Sequence, residues 1–170
     1  MRHWSWLLVG LVALSGSGCA GYKLGPVNGI PAREKSVQVI PFENKTLEPR
    51  LTDEVTQQLR KQLQNDGTYQ LATHDDGDIV VAGTVTRYDR QMVSFTSSDV
   101  LTVQDYRLEV RAQVTARSRS SGKVILDQVV TGSTVIRVTS DLTSAERQAM
   151  PLLAADFAKN VTTLLAEPAW

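Results

Sequence analysis

From Gln104 to Ser118 the chain alternates almost without fault. Tyr106, Leu108, Val110, Ala112, Val114 and Ala116 fall on one side of an extended strand, and Arg107, Glu109, Arg111, Gln113, Thr115 and Arg117 on the other. One apolar face and one polar face belong to a sheet packed on one side only, the habit of antiparallel pairs. Val124 to Val138 is also β-rich, and Arg119-Ser120-Ser121-Gly122 between the two reads as a hairpin connection. Strands of about fifteen residues reach roughly 50 Å at ~3.4 Å per residue, well past the usual length, so this hairpin is expected to project beyond the domain body. Gly132, inside the second strand, is expected at a bulge or bend.

The rest of the chain supplies what such a sheet needs on its apolar side. Ser36-Val37-Gln38-Val39-Ile40 alternates and stops at Pro41, a short first strand. Pro49 suits a first helical turn, and Leu51, Val55, Leu59 and Leu63 recur every four residues until Asn65-Asp66-Gly67 ends the pattern. Tyr69 to Thr73 reads as a brief strand, His74-Asp75-Asp76-Gly77 as a turn, and Ile79 to Tyr88 as a long strand. Met92, Val93 and Phe95 fall in the connection that follows. The last element opens on Thr143-Ser144-Ala145-Glu146, a capping-box spacing, and carries Ala149, Leu152, Leu153, Phe157, Val161, Leu164 and Leu165, with Pro151 expected to kink or divide it. The order β-α-β-β-β-β-α makes an α/β two-layer sandwich, a mainly antiparallel or mixed β-sheet with two helices packed on one face.

Ahead of this domain lies different material. Met1-Arg2-His3 is a basic head, and Trp6 to Leu14 an apolar run of signal-peptide length, too short to span a bilayer. Ser15-Gly16-Ser17-Gly18 and then Cys19, the only cysteine, resemble a bacterial lipobox, although Gly16 stands where such boxes carry Leu. A lone cysteine makes no internal disulfide, and acyl chains on Cys19, a diacylglycerol and an N-acyl group, would anchor the mature chain stably. No other cofactor is expected. Residues 1–18 are thus read as signal peptide, 19–34 as a lipid-anchored extended leader rich in proline and glycine, and 35–170 as the domain. Ala20 is not the Asp of an inner-membrane retention signal, which favours the outer membrane.

Charge and chemistry narrow the function. Lys and Arg number eighteen and so do Asp and Glu. Loss of residues 1–18 removes Arg2 alone and leaves a net charge of −1, so no general nucleic-acid binder is expected. Basic residues gather between Arg87 and Lys123: Arg87, Arg90, Arg107, Arg111, Arg117, Arg119 and Lys123 stand against four acidic residues. Strand alternation would place several of them on one sheet face or near the hairpin tip, where they can bind phosphate or carboxylate or simply keep a long hairpin solvated. The mature chain has one histidine, His74, and no phosphate-binding glycine loop. His74 to Asp78 lacks the ligand ladder of a calcium loop, and Asn44-Lys45-Thr46 reads as a polar loop rather than a glycosylated one. No catalytic residue or metal site is assigned, and the chain is read as a non-enzyme.

Three segments taken together resemble the LptE family of lipopolysaccharide-assembly lipoproteins. Cys19-Ala20-Gly21-Tyr22-Lys23-Leu24 is similar to the family's Cys-Gly-Tyr-His-Leu start with one residue inserted, Val37 to Pro49 to its strand followed by Phe-Glu-Asn-x-Thr-x-Glu-Pro, and Asp78 to Val85 to its Asp-x-x-Leu-x-Gly strand. The Val-x-Val-x-Pro-Phe-Glu-Asn strand also occurs in curli-secretion and penicillin-binding-protein-activator lipoproteins, which keeps open an alternative, a periplasmic adaptor that activates another envelope complex. What the LptE resemblance implies is an outer-membrane, lipid-anchored plug on the periplasmic side of the β-barrel LptD. Such a plug assists the barrel's assembly and the insertion of lipopolysaccharide into the outer leaflet, and touches lipopolysaccharide through basic side chains such as the seven above.

Overall fold

Leu108, Val110, Ala112, Val114 and Ala116 are all fully buried, so the alternation sets the layer boundary. The computed structural model describes residues 35–96, 99–138 and 141–166, with 96 and 99–102 described by backbone alone. Cys19, the signal segment and the leader lie outside the described residues. Within them the chain runs β1 (Ser36–Val39), β2 (Glu43–Asn44), α1 (Leu51–Asp66), β3 (Gln70–Leu71), β4 (Ile79–Thr96), β5 (Asp99–Ser118), β6 (Val124–Arg137) and α2 (Leu142–Ala166). The strands form one mixed sheet in the order β3-β1-β4-β5-β6, with β2 also beside β4. β4, β5 and β6 are antiparallel neighbours, and the short β1 and β2 are parallel to β4. Both helices cover the apolar face, as the two-layer reading expects.

The helix ends follow local chemistry. Gly67 takes φ 75°, the left-handed conformation open to glycine at little cost, and its N–H reaches the Leu63 carbonyl to close α1. At the start of α2 the cap is Asp141, not the expected Thr143: its two carboxylate oxygens accept from the N–H groups of Thr143 (3.2 Å) and Ser144 (2.8 Å). Glu146, the other half of the expected capping box, instead turns into the fold and pairs with Arg90. Pro151 stays within one 25-residue helix, on an exposed position.

Three further expectations are corrected. The segment holding Met92, Val93 and Phe95 is not a connection but the outer part of β4, which runs on to Thr96 against β5. The Arg119–Gly122 turn does not project, because it is tied down: the Arg119 N–H donates to the Asp78 carbonyl (2.8 Å), its Nε to the Gly77 carbonyl (2.8 Å), and its terminal nitrogen to Gln38. The overhang lies at the opposite end of the sheet, where β4 and β5 continue past the last β6 pair, Asp105 with Arg137. Gly132 is no bulge either. It pairs in register with Val110, and a Cβ there would lie 2.5 Å from the Cβ of Phe157, so glycine lets α2 lie directly on β6.

Candidate functional site

The face of the sheet away from the helices is where four of the expected basic residues, Arg87, Arg107, Arg111 and Arg117, meet solvent. Its charges are laid out by strand register. Arg87 lies opposite Arg111, and Asp89 opposite Glu109, which by themselves would be two repulsive cross-strand pairs. Each arginine turns along its own strand instead, Arg87 to Asp89 (2.5 Å) and Arg111 to Glu109 (2.5 Å), and the four charges close on one another. Further along, Arg137 reaches Asp105 across the β5–β6 pair (2.9 Å), and that carboxylate also accepts from the Ser94 hydroxyl (2.6 Å). Those bonds hold the Asp105 carboxyl below its ordinary range. Gln113 bonds Asp127 in the same way (2.5 Å).

Of the seven basic residues singled out, four are therefore committed within the fold. Arg87 and Arg111 sit in the charge quartet, and Arg119 anchors the β5–β6 turn. Arg90 points to the helix side, its guanidinium 5.6 Å from the centre of the Tyr88 ring and paired with the nearly buried Glu146. Burial, and the Glu146 charge after it, push the Tyr88 phenol above its ordinary value. The other three, Arg107, Arg117 and Lys123, are exposed and make no side-chain bond or ion pair with any described residue. Register adds something that alternation alone did not reveal: Arg107 lies opposite Val135 and Arg117 opposite Val124, and both valines are exposed.

The loop between β2 and α1 is polar, as expected of Asn44-Lys45-Thr46, but its bracing and what it displays were not foreseen. Asn44 builds it: its Oδ1 accepts from both the N–H and the hydroxyl of Thr46 (2.8 Å each), and its Nδ2 donates to the Glu48 carbonyl (2.8 Å). The Thr46 hydroxyl then accepts from the Glu48 N–H (3.3 Å). Phe42, at the head of the same segment, is buried edge-on against Phe157 with ring centroids 6.0 Å apart. The result is a braced loop that holds Leu47 entirely in solvent, 103% exposed. The signal was the Phe-Glu-Asn-x-Thr-x-Glu-Pro run itself, in which Asn, Thr and Pro are turn-forming types around one apolar residue.

No group of three or more His, Cys, Asp or Glu that would hold a metal occurs among the described residues. His74 meets the Thr73 hydroxyl (3.1 Å) and Asp75 accepts from Gln38 (2.7 Å), consistent with a polar turn.

A family model described as LptE, lipopolysaccharide-assembly, matches residues 34–165. The chain belongs to the LptE family. No curated protein sequence matches this LptE-family chain. Its fold recurs in solved structures of low identity. A hypothetical protein of Chlamydia trachomatis is 11% identical with a TM-score of 0.58, covering 78% of this chain and 96% of the other. A protein of Xanthomonas campestris is 12% identical with a TM-score of 0.56 over 86% and 92%. A minor lipoprotein of Acinetobacter baumannii is 16% identical with a TM-score of 0.52 over 78% and 92%. At such identities these structures speak for the fold alone, and the LptE match carries the functional class, lipopolysaccharide assembly.

Proposed function

We propose that this LptE-family chain is a lipid-anchored partner of an LptD-type outer-membrane β-barrel, seated in it from the periplasmic side, where it supports barrel assembly and the passage of lipopolysaccharide to the outer leaflet. It acts by binding and not by catalysis. Cys19 carries the acyl chains, residues 1–18 are removed, and 19–34 form the tether.

The observation that carries this reading is the composition of the open sheet face. Most of its charges are neutralised within the fold, which suits a surface seated in the polar lumen of a barrel, because paired charges need not be stripped of a partner on entry. The unpaired cations, Arg107 and Arg117, each lie across from an exposed valine. A phosphorylated glycolipid asks for that combination, a guanidinium for the phosphate and an apolar neighbour for the acyl region. We assign lipopolysaccharide contact to Arg107, Arg117 and Lys123 first. Arg87, Arg90, Arg111 and Arg119 would have to give up internal partners to join them.

Two experiments test this. Full-length lipoprotein drawn from its native membranes in mild detergent is expected to bring a large heat-modifiable barrel in fixed ratio; a peptidoglycan enzyme in its place would favour the adaptor reading. Arg107→Glu with Arg117→Glu is expected to weaken lipopolysaccharide binding by tenfold or more with an unchanged melting temperature. Equal binding by parent and double variant would return both arginines to a solubilising role.

A further inference from the structure

The two long flanks of the sheet are treated in opposite ways. Among the described residues β6 is an edge strand along its whole length, yet α2 seals its middle: the Asp156 carboxylate accepts from the Ser133 N–H (2.8 Å), Asn160 donates to the Thr131 carbonyl (2.8 Å), and the Phe157 backbone rests on Gly132. Among the described residues nothing covers β4 in this way beyond Val85. β1 pairs with it from Ile79 to Val81 and β2 at Thr84 and Val85, and the last backbone bond to that flank among the described residues is the Lys45 N–H to the Val85 carbonyl (2.9 Å). From there the chain of β2 swings away into the braced loop, while β4 continues.

One stretch of the uncovered flank is regular. Register shifts fall between Val85 and Arg87 and again after Met92, so Arg87 to Met92 keeps an unbroken ladder with Arg111 to Tyr106. Six residues span about 20 Å at ~3.4 Å each, the length of an ordinary strand. Beside this stretch runs a slot of about 500 Å³ lined by Thr46, Leu47, Glu48, Thr86 and the Arg87–Arg90 edge. One wall is the open strand edge, and the other is the braced loop with its exposed leucine.

We propose that this slot accepts one extended segment of a partner protein, which adds to the sheet as a strand beside β4 where β2 leaves off. The chemistry names the occupant. A strand edge offers backbone N–H and C=O groups in alternation, and only another extended backbone matches that spacing. Alternation further fixes its side chains: one set lies on the side of Tyr88 and Met92, where Arg90 is already paired with Glu146, and should be apolar or aromatic, and the other lies on the side of Arg87 and Asp89 and should be polar. A second copy of this chain fits poorly, since its own β4 edge comes walled by its own Leu47 loop and two walls cannot share one slot. The inference stands apart from the barrel reading, because it names a mode of docking and not a particular partner.

The probe is a capped heptapeptide of alternating threonine and valine, in three forms: unmodified, and N-methylated at alternate residues in each of the two parities. Binding to the purified protein is followed by anisotropy, and amide hydrogen exchange maps the contact. Strand addition predicts slowed exchange within Arg87–Met92 and none within β6, a tenfold or greater loss for one methylated parity, and near-parent binding for the other. Leu47→Asp, at a fully exposed position, should weaken the unmodified peptide severalfold without altering the melt. Absence of binding at millimolar peptide, equal binding by all three forms, or protection elsewhere than the β4 edge would each overturn the proposal.

Discussion

Among the described residues β6 and the outer half of β4 are both sheet edges, and the layer above the sheet separates their fates. α2 returns across β6 and satisfies edge groups with Asp156 and Asn160, whereas beside the outer half of β4 the loop leading into α1 stands off at the width of the slot. An exposed edge is ordinarily an aggregation hazard. Here one edge is closed by side chains from the layer above, and the other is left open over six regular residues between two irregularities. The difference marks where this fold has finished building and where it still has hydrogen bonds to give.

The largest effect should come from breaking the sealed side. Phe157 is fully buried between Phe42 and Gly132, and Phe157→Ala is expected to cost ~3–5 kcal/mol by cavity formation, read from urea unfolding. Removing the seal without emptying the core is gentler. Asp156→Ala with Asn160→Ala should cost ~0.5–1.5 kcal/mol for each lost bond and give β6 the open character of β4. Sedimentation at rising concentration would then show self-association absent from the parent; a double variant that stays monomeric would mean the packing of α2, and not these two bonds, closes the edge.

Acid should act on the same side. Bonds from Arg137 and Ser94 lower the Asp105 carboxyl, and bonds from Ser144 and Thr143 lower Asp141. A lowered carboxyl contributes stability that is full above its unfolded value, near pH 3.9, and is lost as pH falls through the lower folded value. Melting temperature is therefore expected to drop below about pH 4, and Asp105→Asn should flatten that drop. The smallest effect belongs to the open side: Leu47→Ser should shift stability by no more than ~0.5 kcal/mol, since the side chain touches nothing that folding buries. A larger loss in a thermal melt would show that the loop depends on Leu47 rather than on Asn44 and Thr46.

Much of this architecture is present in the residues alone. Period-two alternation over Gln104–Ser118 set which side chains are buried, four-residue spacing set α1, and the run from Val37 to Pro49 pointed to the family. These are local properties: side-chain direction in a strand or helix follows from backbone geometry whatever the neighbours do. The seven basic residues were also legible as a group, but not their division into paired and unpaired. That division depends on register, because a cross-strand partner is a residue distant in sequence, and a shift of one position exchanges every neighbour. Only the tertiary structure placed Val135 opposite Arg107, turned Glu146 from a helix cap to an ion-pair partner of Arg90, tied down the Arg119 turn, and left the flank of β4 open. Each of these is a contact between segments far apart in the chain, and its energy exists only once the layers have met.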